Sequence, residues 1–179
     1  MGNRHQQGSI DGSRLKNNGW FGNAACALSY EGLAWLTGTA VLLGGAWPGG
    51  HAIALALLYS LGAHGIMTLN DFKAIEGDRA MGVASLPVQL GPRNAARVAC
   101  VMMWLPQAAV AGLLWHWQLP WHAVAVLVLG FLQWPLMAAF IKQPIERALH
   151  VSAFGVPLFV SGMMVSAWGL RQLHSLGVL

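Results

Sequence analysis

Five apolar runs, each close to twenty residues long, divide this chain and leave it few ways to fold. They fall at about 24–44, 52–69, 95–114, 121–141 and 151–170. A helix rises 1.5 Å per residue, so about 20 residues cross a hydrocarbon core of about 30 Å. Charged residues make up only 9% of the 179-residue sequence, against about 25% in an ordinary soluble domain. With 56% hydrophobic residues as well, the expected fold is an all-α, multi-pass transmembrane bundle of about five helices. Pro106, Pro135 and Pro157 lie inside runs. Neighbouring helices re-satisfy a carbonyl freed by proline in lipid, so these positions read as kinks and not as ends.

The connecting segments set the orientation. W-P-G-G at 47–50 and W-H-W-Q-L-P-W at 115–121 read as turns, and K-Q-P-I-E-R-A-L-H at 142–150 reads as a loop. Residues 1–13 are polar and Gly-rich, are expected to be disordered, and lack the apolar core of a cleavable signal peptide. Cys26 and Cys100 stand in separate runs with no Cys or His at ligand spacing, so they read as small apolar residues. Alternating crossings put Arg4, Arg14, Lys16, Lys73, Arg79, Arg93, Arg97, Lys142 and Arg147 on one side. Those are nine of the ten basic residues, and Arg171 alone is opposite. By the positive-inside rule the nine-residue side is cytoplasmic. Trp47, Trp115, Trp117, Trp121 and Trp168 fall at the other boundary, as an interfacial belt would. The formal charge of +4 is thus an orientation signal, and nucleic acid is not an expected partner.

Against this background one stretch stands out, N-D-F-K-A-I-E-G-D-R-A-M-G-V-A-S-L-P at 70–87. Asp71, Glu76 and Asp78 are three of only six carboxylates in the chain. A solvated loop is the plain reading of such a cluster. Its position directly at the end of an apolar run favours a functional site, because charge near a bilayer is costly. Asp71 and Asp78 are seven residues apart, which returns to one face if the helix continues for two turns. Carboxylate oxygens at that spacing suit Mg²⁺, which commonly takes one or two carboxylates together with substrate phosphate oxygens. Lys73 and Arg79 are placed to hold the remaining phosphate charge, Arg in a bidentate manner. The residues therefore point to a diphosphate and Mg²⁺ at a membrane surface.

The same stretch, continued through V-Q-L-G, resembles the second aspartate-rich motif of the UbiA-type membrane prenyltransferases. Its D-F-K-x-x-E-G-D-R form is similar to the chlorophyll and bacteriochlorophyll synthase branch. R-L-K-N-N-G-W-F-G-N at 14–23 resembles the loop before the fifth helix of that branch, and the likeness runs from about Arg14 to Leu170. It implies that residues 14–179 are part of a nine-helix fold, namely its last five helices, with a cytoplasmic motif loop at 70–93. It implies prenyl transfer from geranylgeranyl or phytyl diphosphate to the propionate carboxylate of chlorophyllide or bacteriochlorophyllide, in a bacterial cytoplasmic or photosynthetic intracytoplasmic membrane. The roles that follow are Asp71 and Asp78 as catalytic Mg²⁺ ligands with Glu76 as a further ligand. Lys73 and Arg79 hold the diphosphate, and Asn70 orients Asp71 or a bound water. The first motif of the family, of the N-D-x-x-D kind, has no counterpart, since residues 1–13 hold only Asp11. The chain is thus expected to be a fragment of a synthase that needs a separate N-terminal half or another membrane subunit and is inactive alone. The alternative is a non-catalytic membrane scaffold that binds pigment or a partner subunit. A transporter half fits less well, because the runs lack charged or broken midplane helices.

Two intramembrane residues stand open between readings. Glu31, about seven residues into the first run, is either a pigment contact or a hydrogen-bonded packing residue near Tyr30. The resemblance leans towards the pigment, since S-Y-E-G is similar to the bacteriochlorophyll synthases. His64, seven residues before Asp71 and on the same helical face, either lines the cavity below the metal or is a bonded structural histidine. Trp35, Trp104 and Trp134 are mid-run aromatics that either stack on a substrate or pack.

Overall fold

The computed structural model describes residues 18–175. The expectations for residues 1–13, and for Arg14 and Lys16, lie outside the described residues. The chain between is helical. Helices α1 (Gly19–Ala27) and α2 (Leu33–Leu42) are joined by a π turn at Leu28–Gly32, and α3 (Gly50–Asp71) follows. Two short helices, α4 (Ile75–Met81) and α5 (Leu86–Leu90), lead into α6 (Pro92–His116) and α7 (Pro120–Lys142). The last run is α8 (Pro144–His150), a second π turn at Val151–Gly155, and α9 (Val156–Ser175). Proline opens α6, α7 and α8, where its missing N–H has no intrahelical partner to lose.

Four helical runs are long and apolar enough to cross a membrane: Gly50–Asp71, Pro92–His116, Pro120–Lys142 and Pro144–Ser175. These are four of the five runs expected. The first run is also helical, from Gly19 to Leu42 with a π turn that carries Glu31, but it is not among the four. The 142–150 segment also differs from the loop expected of it. Pro144 at the first turn, Glu146 near the N-terminus, and Arg147 and His150 near the C-terminus suit a helix and its dipole, so the run continues through the charged residues. Pro106 and Pro135 sit inside unbroken helices, while Pro157 is the second residue of α9, in the first turn after the second π turn.

Helix α3 is the centre, packed on α1 and α6 and touching α9; α6 packs on α7, and α7 on α9. The α3–α6 contact is close because small residues line it. Ala95, Ala96 and Ala99 are fully buried, and a Cβ on Gly65 would come within 2.6 Å of the Ala99 carbonyl oxygen. Close backbone approach through small residues is how helices gain packing where lipid removes the usual hydrophobic drive. Phe72, directly after Asp71, meets Phe140 of α7 edge-on at 5.0 Å and ties the end of α3 into the bundle.

Candidate active site

The motif folds as its apolar residues dictate. Phe72, Ile75 and Leu86 are buried in the core and pin the segment to the bundle. Lys73, Glu76 and Arg79 fall between those anchors and are exposed. Helix α3 stops at Asp71, so the two-turn continuation expected to align the carboxylates does not occur. A turn at 72–74 intervenes, and α4 then supplies Asp78, whose amide donates to the Ala74 carbonyl at 2.7 Å. Gly82 ends α4 in the left-handed conformation, with φ of 68°, and turns the chain back towards α1.

That return joins the first helix to the motif. The Gly19 amide donates to the Ala84 carbonyl at 2.8 Å, in an isolated parallel bridge between Asn18 and Ala84. A Cβ on Gly19 would lie 2.6 Å from the Leu86 nitrogen, so glycine permits this approach. The Asn18 side chain caps α1 by accepting from the Trp20 amide at 3.0 Å. Between α1, the end of α3 and α4 opens a cavity of about 1010 Å³. Its walls include Asn23, Cys26, Ser29 and Tyr30 from the first run, and Asn70, Asp71, Asp78 and Ser85 from the motif.

The two carboxylates predicted to act together therefore share one cavity, although by a route the sequence did not announce. Asn70 lines the same cavity, while Lys73, Glu76 and Arg79 are not part of its wall. The side chain bonded to Asp71 is Asn23, from another helix: its amide donates to Asp71 Oδ2 at 3.0 Å. Among the described residues no side-chain hydrogen bond joins Asp71 to Asn70, the residue expected to orient Asp71 or a bound water. Glu31 lies in the π turn next to the cavity residues Ser29 and Tyr30 and near Trp35 and Tyr59. Trp35 stacks on Tyr59 at 5.5 Å, so this mid-run tryptophan packs. Trp104 and Trp134 lie 5.7 Å apart and pack on each other. His64 is buried and does not line the cavity; its Nε2–H donates to the Trp20 carbonyl at 3.1 Å.

No cluster of three or more His, Cys, Asp or Glu that would hold a metal exists among the described residues. The donor set at the cavity is the carboxylates of Asp71 and Asp78, the amides of Asn18, Asn23 and Asn70, and the hydroxyls of Ser29, Tyr30 and Ser85; the buried Ser85 Oγ has no partner among the described residues. Such hard oxygen groups fit Mg²⁺ in its usual manner, with substrate oxygens and waters completing the shell.

Fold and cavity together define a class: an integral membrane helical protein with a carboxylate- and amide-lined pocket at one end of its bundle. The profile of the UbiA prenyltransferase family matches residues 13–161, and the chain belongs to that family. It is 48% identical over 165 residues to the "Bacteriochlorophyll synthase 33 kDa chain" of Rhodobacter capsulatus, covering 91% of this chain and 54% of that one. It is 48% identical to the "Bacteriochlorophyll synthase 34 kDa chain" of Chloroflexus aurantiacus, covering 88% of this chain and 50% of that one. Against the chloroplastic chlorophyll synthase of Oryza sativa subsp. japonica the identity is 39%, covering 86% of this chain and 40% of that one. The chain spans about half the length of the bacterial relatives it matches. No solved structure matches it.

Proposed function

We propose that this chain takes part in Mg²⁺-dependent prenyl transfer from geranylgeranyl or phytyl diphosphate to the propionate carboxylate of chlorophyllide or bacteriochlorophyllide. The observation that carries this reading is the placement of Asp71 and Asp78 in one cavity wall at the end of a membrane-length helix. The names of the relatives support a chlorophyll or bacteriochlorophyll product, and the family's description supports prenyl transfer.

In this reaction a propionate oxygen attacks the allylic carbon that bears the diphosphate. The ester C–O bond forms, the C–O bond to the diphosphate breaks, and the electron pair departs with the leaving group. An ionised carboxylate is already nucleophilic, so the protein need not supply a general base. It must instead stabilise charge developing on the leaving oxygen, and it does so best with groups fixed in advance. When bound, Mg²⁺ supplies Lewis-acid neutralisation of that charge. Asp71 and Asp78 would hold it, with Asn70 at the rim and Glu76 outside the cavity wall. We assign Lys73 and Arg79 to the outer phosphate oxygens, and Glu31 to the tetrapyrrole; His64 keeps a structural place. Residues 14–179 act as one partial domain. The cavity end faces the cytoplasm, since Lys73, Arg79, Arg93, Arg97, Lys142 and Arg147 all gather there.

Binding of geranylgeranyl diphosphate to the chain in lipid nanodiscs should require Mg²⁺ and should vanish in Asp71→Ala. Binding that persists unchanged in that variant overturns the reading and favours a non-catalytic scaffold.

A further inference from the structure

Asn23 stands on α1, across the cavity from nothing that its neighbours in sequence would explain, and only 9% of its surface is exposed. Its Nδ2 donates twice, to Asp71 Oδ2 at 3.0 Å and to Thr68 Oγ1 at 3.3 Å. The direction is set by chemistry, because an ionised carboxylate only accepts. The Thr68 hydroxyl spends its own proton on the His64 carbonyl at 3.0 Å, which leaves Oγ1 to accept from Asn23. His64 in turn donates Nε2–H to the Trp20 carbonyl at 3.1 Å and lies 5.8 Å from the Trp20 ring. The series runs from α1 to α3, returns to α1, and ends on a single carboxylate oxygen. Both amide hydrogens are committed, so the Asn23 side chain cannot turn over without breaking two bonds.

We infer that Asn23 is a positioning residue for the diphosphate site: its bond to Oδ2 fixes the orientation in which the Asp71 carboxylate is offered to a divalent cation. The inference rests on the function proposed above. Asn23 is suited to the task because an amide donates to the carboxylate without adding charge, whereas a carboxylate in its place would repel Asp71. A side chain that merely clips two helices together would matter for stability alone. A positioning residue changes metal affinity while the fold is unchanged.

The test uses the full chain in lipid nanodiscs, with Mn²⁺ as the probe, inorganic pyrophosphate present, and free Mn²⁺ counted by electron paramagnetic resonance. Asn23→Leu keeps the approximate shape and removes the donor; Asn23→Ala removes both. Each should weaken Mn²⁺ binding by about tenfold or more, the usual consequence of losing a group that orients a ligand. Thr68→Val keeps the bond to Asp71 and frees one amide hydrogen, so it should produce a smaller fall. The exposed Cys26 thiol lines the same cavity, and Cys100 is buried. Protection of Cys26 from alkylation by Mn²⁺ and pyrophosphate should accordingly weaken in Asn23→Leu. Unchanged Mn²⁺ affinity in a folded Asn23 variant, with binding lost in Asp71→Ala, overturns the positioning role and spares the proposed function. If neither Asn23 variant folds, unchanged affinity in Thr68→Val overturns it. A wild-type chain that takes up no Mn²⁺, or an Asp71→Ala variant that binds as well as wild type, overturns the functional reading and this inference with it.

Discussion

Two glycines of the motif differ in what they do, although the sequence presents them alike. Gly77 lies in the interior of α4 with open space where a Cβ would stand. Gly77→Ala should therefore firm up the helix, by up to about 1 kcal/mol from propensity. Gly82 holds φ of 68°, a conformation an L side chain enters at about 1–2 kcal/mol. Gly82→Ala should lower stability by that amount and loosen the return of 83–86 to α1. Thermal unfolding of the two variants side by side checks the opposite signs. The carboxylates were legible in the sequence because charge is scarce in an apolar chain, so Asp71 and Asp78 announced themselves. Asn23 was not legible. Its partner is 48 residues away, and a lone amide in G-N-A-A carries no periodicity or charge that would single it out. Nor did anything local reveal that Glu76 stands outside the cavity wall while Asp78, two residues on, belongs to it.

Among the helices, length and apolar content were readable and interruptions were not. The two π turns depend on how neighbouring helices meet them, and hydropathy does not record that. The bundle also hides polar joints that an apolar run conceals. Gln107 of α6 and Gln133 of α7 are fully buried and exchange hydrogen bonds: Gln133 Nε2 donates to Gln107 Oε1 at 3.0 Å, and Gln107 Nε2 returns one at 3.4 Å. Each amide also donates to its own helix, at the Met103 and Leu129 carbonyls. Removing one partner strands polar atoms of the other in an apolar interior, whereas removing both leaves nothing unpaired. Gln107→Leu and Gln133→Leu should therefore each destabilise the bundle, and the double variant should be less unstable than their sum. The coupling expected for such a pair in a membrane bundle is about 0.6 kcal/mol, and up to about 1.7. Unfolding in mixed micelles measures it, and strict additivity would show that the pair contributes no coupling.

The molecule as a whole is turned out in the manner of a protein dissolved in lipid. Its interior holds Asn23, His64, Thr68, Gln107, Gln133 and Ser166, while Phe131, Leu132, Trp134 and Met164 are exposed on the outside. In water that arrangement would be unfavourable; in a bilayer the apolar surface meets lipid and only the polar groups need partners. The arrangement fixes which ends lie together. Helix α3 ends at Asp71, α7 ends at Lys142 and α8 begins at Pro144, so one bundle end gathers the cavity and six basic residues, Lys73, Arg79, Arg93, Arg97, Lys142 and Arg147, among the described residues. The opposite end carries Trp115, Trp121 and Arg171. In a chain with Cys26 and Cys100 replaced by alanine, single cysteines at Lys73→Cys and Lys142→Cys should react with an impermeant maleimide from one side only. Those at Trp115→Cys and Arg171→Cys should react only from the other. The basic excess predicts that the first pair faces the cytoplasm. Labelling of positions 73 and 142 from different sides would mean that α6 or α7 does not cross. The cavity would then lie away from the membrane surface at which a diphosphate headgroup can reach it.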